Sequence, residues 1–178
     1  MIDHSIKGKT VLIAGGAKNL GGLIARELAG ADAKAVTVAT KAAADETVAA
    51  IKAAGAEAFA LQADLTTAGA NEKLFTEAKS AMGGIDIAIN TVGKVLKKPI
   101  VDISEAEYDE MTAVNSKSAF FFIKEAGKHL NDNGKICSVV TSLLGAFTPF
   151  YAAYAGTKAP VEHFTRAASK EFASAVSR

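Results

Sequence analysis

Short apolar runs alternate with stretches of helical spacing along nearly the whole chain. Lys9 to Ala14 is apolar and β-branched, the pattern of a strand buried on both faces. Gly15-Gly16-Ala17-Lys18-Asn19-Leu20-Gly21-Gly22 follows at once, and Leu23 to Ala29 then takes helical spacing. Ala35 to Ala39 predicts a second strand, followed by an alanine-rich helix ending near Gly55. Ala58 to Ala63 predicts a third strand, closed by Asp64. Thr67 to Met82 reads as a helix stopped by Gly83-Gly84, and Ile85 to Asn90 as a fourth strand. Ser104-Glu105-Ala106-Glu107 is a capping box that opens a long helix to about Leu130, stopped by Asn131-Asp132-Asn133-Gly134. Lys135 to Thr141 predicts a fifth strand. After a loop with Gly145 and Pro149, a last helix starts near Tyr151 and carries Tyr154, Lys158 and His163. Pro160 implies either a kink in that helix or a regular helix that begins only there.

Strict alternation of strand and helix predicts parallel βαβ units with right-handed crossovers. The expected fold is α/β, a Rossmann-type doubly wound parallel sheet covered on both faces. No linker, internal repeat or low-complexity tract interrupts it, so residues 1–178 read as a single dinucleotide-binding domain. That length suits one sizeable core. Hydrophobic residues make up 49% and charged residues 22%, as in soluble globular proteins. A net charge of +1 gives no electrostatic case for nucleic acid or an anionic membrane. No apolar run approaches the ~18 residues of a membrane span. Met1 to Lys9 lacks the apolar core of a signal peptide. A single cysteine, Cys137, excludes an internal disulfide and a multi-cysteine metal site. Its neighbours Ile136, Val139 and Val140 predict a small buried side chain. Together these features point to the cytoplasm. His4, His129 and His163 are far apart and show no metal-ligand spacing.

Two stretches carry candidate chemistry. A turn between a buried strand and a helix N-terminus presents unpaired N–H groups and a positive dipole end, and glycines let the backbone approach a pyrophosphate. Gly15, Gly16, Gly21 and Gly22, with Asn19 between, therefore predict nucleotide binding. Tyr154 and Lys158 lie one helical turn apart on one face. A cation beside a phenol favours the phenolate, so such a tyrosine can exchange a proton with a carbonyl or alcohol oxygen. Alone, the same pair is an ordinary solvated helix face.

At this point the chain resembles the short-chain dehydrogenase/reductase family. That family's T-G-x-x-x-G-x-G motif falls on Ala14, Gly15, Asn19 and Gly21, so Ala14 lacks the usual hydroxyl and Asn19 replaces a glycine. Asparagine tolerates left-handed backbone better than most residues. The family's N-N-A-G falls on Asn90-Thr91-Val92-Gly93, matching at its ends. Its helix asparagine matches Asn115, which the resemblance associates with a local kink and a water linked to Lys158. Its serine matches Ser142, with Thr141 as the alternative. Tyr154 is preferred to Tyr151 as its tyrosine because only Tyr154 has a lysine four residues on.

The resemblance implies a hydride transfer between a nicotinamide and a small carbonyl or alcohol substrate. Ser142 would bond the substrate oxygen, Tyr154 would exchange its proton, Lys158 would tune the tyrosine and hold the nicotinamide ribose, and Asn115 would anchor the proton relay. Gly15, Lys18, Asn19, Leu20, Gly21, Asp64, Leu65, Asn90 and Gly93 are the expected cofactor contacts, with Asp64 near the adenine. An acid ending the second strand would select NAD. Val38-Ala39-Thr40-Lys41 has none, and Thr40, Lys41 and Lys18 suit a 2′-phosphate, so NADP is expected over NAD. No metal is expected. The resemblance further implies that a sixth and seventh strand, a substrate-covering helical pair and a Pro-Gly turn are absent, leaving the fifth strand as a sheet edge and the chain poorly active. Ala119-Phe120-Phe121-Phe122-Ile123 and the last helix suit a homodimer or homotetramer interface, unless the phenylalanines are core. The competing reading is a non-catalytic dinucleotide-binding protein or sensor of the same fold. A Rossmann-like methyltransferase gives no reason for Tyr154 and Lys158 one turn apart.

Overall fold

The computed structural model describes residues 5–40 and 44–175. Among them five parallel strands form one sheet in the order β3-β2-β1-β4-β5. They are β1 (Thr10–Ala14), β2 (Ala35–Thr40), β3 (Glu57–Gln62), β4 (Ile87–Asn90) and β5 (Lys135–Ser138). The helices are α1 (Asn19–Gly30), α2 (Asp45–Ala53), α3 (Ala70–Met82), α4 (Glu105–Thr112), α5 (Ser118–His129) and α6 (Ala152–Ala175). This is the doubly wound parallel architecture that the alternation predicts.

β1 shows why the pattern works. Every one of its residues is buried. Successive side chains point to opposite faces, so the strand feeds two cores. Val11 and Ile13 join Val36, Val38, Ala25 and Ile51 under α1 and α2. Leu12 and Ala14 join Phe75, Ala78, Phe122 and Ala126 under α3 and α5. Phe75 and Phe122 are fully buried and meet edge to face with ring centres 4.9 Å apart. Such a pair contributes about 0.5–1.5 kcal/mol beyond its buried area.

Three sequence expectations change. The long helix opened by the Ser104–Glu107 capping box is not continuous, because residues Ala113–Lys117 form a π-helical turn between α4 and α5. The cause is tertiary. The Asn115 amide donates to the Lys94 carbonyl at 2.9 Å, and its oxygen accepts the Lys94 N–H at 2.9 Å. Ser118 Oγ takes up the Val114 carbonyl at 2.7 Å. Next, β5 ends at Ser138 rather than Thr141. Its partner β4 ends at Asn90, whose side-chain oxygen accepts the Val92 N–H at 2.9 Å and turns the chain away. Finally, Cys137 is exposed, not buried. It sits beside Ile89 on the α1/α2 face of the sheet, where no described helix reaches over β5.

Pro160 lies inside α6 without ending it. A proline there cannot donate to the carbonyl four residues back. That residue is Gly156, which is exposed, so water can take the freed acceptor. Since α6 begins at Ala152, Tyr154 and Lys158 share one helix.

Candidate active site

Strand order reverses between β1 and β4, and in such sheets ligands sit over the carboxyl ends at that point. A cleft of about 440 Å³ opens there. Gly15, Lys18, Asn19, Leu20 and Gly21 line it from the glycine turn, Asp64 and Leu65 from the end of β3, and Gly93 and Lys94 from beyond β4. Every predicted cofactor contact but five therefore borders one space. Asn90 lies beneath it, 3% exposed. Tyr154 and Lys158 are not among its walls. Lys41 and the side chain of Thr40 lie outside the described residues, so the proposed 2′-phosphate contacts reduce to Lys18.

The turn is built to need no side chains at its closest points. A β-carbon at Gly21 would stand 2.3 Å from the Gly15 carbonyl oxygen. Gly15 has φ +78° and Asn19 φ +51°, so the asparagine occupies a left-handed position where a glycine is usual. Lys18 caps α1 without a side-chain bond, and the first turn holds no acid. The helix thus presents its positive end and free N–H groups to the cleft, which suits a phosphate. Two threonines that the sequence reading passed over hold the turn. Thr91 Oγ1 donates to the Ala14 carbonyl at 2.8 Å, and Thr47 Oγ1 to the Ala17 carbonyl at 2.8 Å. The signal for Thr91 was its place directly after a strand, opposite the missing hydroxyl of Ala14. Asp64 Oδ1 accepts the Thr66 N–H at 3.0 Å and its hydroxyl at 2.7 Å, so part of this carboxylate shapes a turn while the residue lines the cleft.

Beyond Gly93 lies the second group. Lys158 is 4% exposed, and its ammonium donates to the carbonyls of Val92 at 2.8 Å and Val139 at 3.2 Å. Those carbonyls follow the ends of β4 and β5, so α6 is pinned across the sheet. A β-carbon at Gly93 would stand 2.9 Å from Lys158 Nζ, which explains the glycine there. Burial pushes Lys158 below the usual lysine range. Tyr154, half-buried, lies one turn before it, its ring centre 6.4 Å from that of Tyr151. Ser142 is exposed at the start of a short 3₁₀ turn (Ser142–Gly145). Thr141 caps that turn, its Oγ1 accepting the Leu143 N–H at 3.3 Å, which occupies the alternative to Ser142. Asn115 is fully buried on the π-turn. Among the described residues no group of three His, Cys, Asp or Glu could hold a metal ion. No described helix is long and apolar enough to cross a membrane.

A doubly wound sheet with a glycine turn at its switch point defines a dinucleotide-binding class of protein. Within that class the chain belongs to the short-chain dehydrogenase/reductase family, whose model matches residues 9–176. It is 33% identical over 168 residues to a short-chain dehydrogenase/reductase of Pestalotiopsis microspora, covering 93% of this chain and 63% of that one. It is 36% identical over 169 residues to elsinochrome reductase 1 of Elsinoe fawcettii, covering 90% and 61%. The chain thus spans less than two thirds of these curated relatives. Among solved structures, a protein of Burkholderia cenocepacia described as a dehydrogenase, with bound NADP, is 71% identical. It superposes with a TM-score of 0.93 over 97% of this chain and 67% of its own.

Proposed function

We propose that this chain is the dinucleotide-binding and proton-transfer part of a nicotinamide-dependent oxidoreductase acting on a small carbonyl or alcohol. The observation that carries the reading is α6. It sets Tyr154 and Lys158 on one face, one turn apart, and roots the lysine beside Gly93 at the end of the cleft. The residues fit the cofactor. Gly15 to Gly21 with the N-terminus of α1 would hold the pyrophosphate, Asp64 and Leu65 would lie near the adenine, and Lys158 would hold the nicotinamide ribose. A bound nicotinamide supplies or takes the hydride. Ser142 hydrogen-bonds the substrate oxygen, and Tyr154 gives that oxygen a proton or removes one. The ammonium of Lys158 favours the phenolate left behind. Asn115 anchors the proton path at Lys158.

NADP is the preferred form, with NAD the alternative. Val38-Ala39-Thr40-Lys41 offers no acid to a ribose hydroxyl, Lys18 lines the cleft, and the 71% identical relative holds NADP. Calorimetric titration with NADPH and NADH tests this directly, with tighter NADPH binding expected and equal affinities removing the preference. Tyr154→Phe should leave NADPH binding nearly intact and cut turnover roughly 10²–10⁴-fold. A variant as fast as the parent removes the assignment. Residues 1–178 alone are expected to turn over ketones poorly, and a carbonyl-reductase assay on this chain checks it.

The second reading, a dinucleotide holder without catalysis, is favoured by the ammonium of Lys158 being engaged by two backbone carbonyls. NADPH binding without turnover of any ketone, even with the relatives' full length restored, would select it. For assembly, we propose a homodimer or homotetramer through α5. Phe122 and Ile123 are core, but Phe120 and Phe121 are partly exposed on the outer face, where Phe120 meets Phe164 of α6 at 5.1 Å between ring centres. Sedimentation showing only monomer would remove this.

A further inference from the structure

Thr157 stands between the two residues assigned to the chemistry and has no part in it so far. It lies on the buried stripe of α6 formed with Ala153, Val161 and Ala168, and is 3% exposed. Its companions there are apolar, and a buried hydroxyl is costly unless it is bonded. This one is. Thr157 Oγ1 donates to the Ala153 carbonyl at 2.7 Å and accepts the Asn115 amide at 3.0 Å. The carbonyl of Thr157 also accepts the Ser116 hydroxyl. Asn115 and Ser116 are successive residues of the π-turn, so one element grips a single residue of another at two points. One contact fixes a distance, whereas two also fix a rotation.

Helical geometry shows what that rotation controls. At about 100° per residue, Tyr154 and Lys158 lie roughly 60° and 100° round from Thr157, on the same side. A roll of α6 would swing both together and draw Lys158 off the Val92 and Val139 carbonyls. The Asn115 that holds Thr157 also holds both backbone groups of Lys94, next to Gly93. The cleft's end and the helix are thereby tied to one side chain.

We propose that Thr157 is the positioning residue of this site: gripped at its hydroxyl and carbonyl by the π-turn, it sets the rotation of α6 and so the direction in which Tyr154 and Lys158 face. The inference rests on the reading of those two residues as the reacting pair. Thr157→Val keeps the shape and removes the hydroxyl, Thr157→Ser returns it, and Ser116→Ala removes the other grip. The readout is the crystal structure of each variant, read for whether Lys158 Nζ keeps its bonds to the Val92 and Val139 carbonyls, 2.8 Å and 3.2 Å in the parent. Thr157→Val is expected to roll α6 and lose both bonds. Thr157→Ser should restore them. A Thr157→Val protein that melts earlier but keeps both bonds overturns the proposal, because the residue then only packs. Should Thr157→Val not fold, Ser116→Ala decides, loss of the bonds supporting the proposal and their retention overturning it. NADPH titration of the parent judges the oxidoreductase reading separately, since lost binding would sink that reading without altering the comparison of the variants.

Discussion

The Thr91 hydroxyl sits against Gly15 and Gly21 and donates to the Ala14 carbonyl, an acceptor that also takes the Thr91 N–H at 3.0 Å. The hydroxyl that Ala14 lacks is thus delivered from the residue that follows the neighbouring strand β4. Thr91→Val removes one of the two bonds and leaves the acceptor satisfied. It is expected to cost about 1 kcal/mol in urea unfolding. It should also weaken NADPH binding, because the loop that would hold the pyrophosphate loses its tie. Equal stability and affinity in the variant would show the contact to be idle. By contrast, Gly21→Ala drives a β-carbon into backbone, which cannot step aside, and should abolish binding outright in the same titration.

At the scale of elements, the opposite end of the sheet is clasped by Asp86. Its carboxylate accepts the Thr10 N–H at 2.9 Å, the Thr10 hydroxyl at 3.1 Å and the Asn131 amide at 3.0 Å, joining β1, β4 and the α5–β5 connection. Burial raises this carboxyl, but those hydrogen bonds and the nearby Lys9 outweigh it and hold it below the usual range. A group whose folded value is depressed adds stability above its unfolded value, and that stability is lost as pH falls through the folded one. The parent is therefore expected to exceed Asp86→Ala by about 1–3 kcal/mol at neutral pH. The gap should narrow as the solution is taken below about pH 4, as read from denaturation curves. A gap that does not change with pH would refute the linkage.

These elements also show what a sequence reveals. β1, the glycine turn and the Tyr154–Lys158 spacing were legible because each is written in contiguous residues. The π-turn was not: the resemblance associated a kink with Asn115, and the turn lies there, but the contacts that hold it reach Lys94 and Thr157, 21 and 42 residues away. Cys137 was misread for a related reason. Apolar neighbours mark a strand, but they do not say whether both of its faces are covered.

For the whole molecule, the consequence lies at β5, which among the described residues pairs only with β4. A sheet edge of this kind presents free backbone donors and acceptors to another chain. Sedimentation is expected to show concentration-dependent association of residues 1–178. In dilute solution Cys137 should react with a thiol reagent nearly as fast as in the unfolded chain, and strong protection would contradict its exposure.

The bond from Thr91 to the Ala14 carbonyl spans 77 residues. A growing polypeptide emerging from the ribosome therefore cannot assemble the grip on a nucleotide from its first strand and loop alone. Until β4 has been synthesised and laid beside β1, the loop has only the Thr47 bond to hold it, and tight retention of a dinucleotide would report that the centre of the sheet has closed.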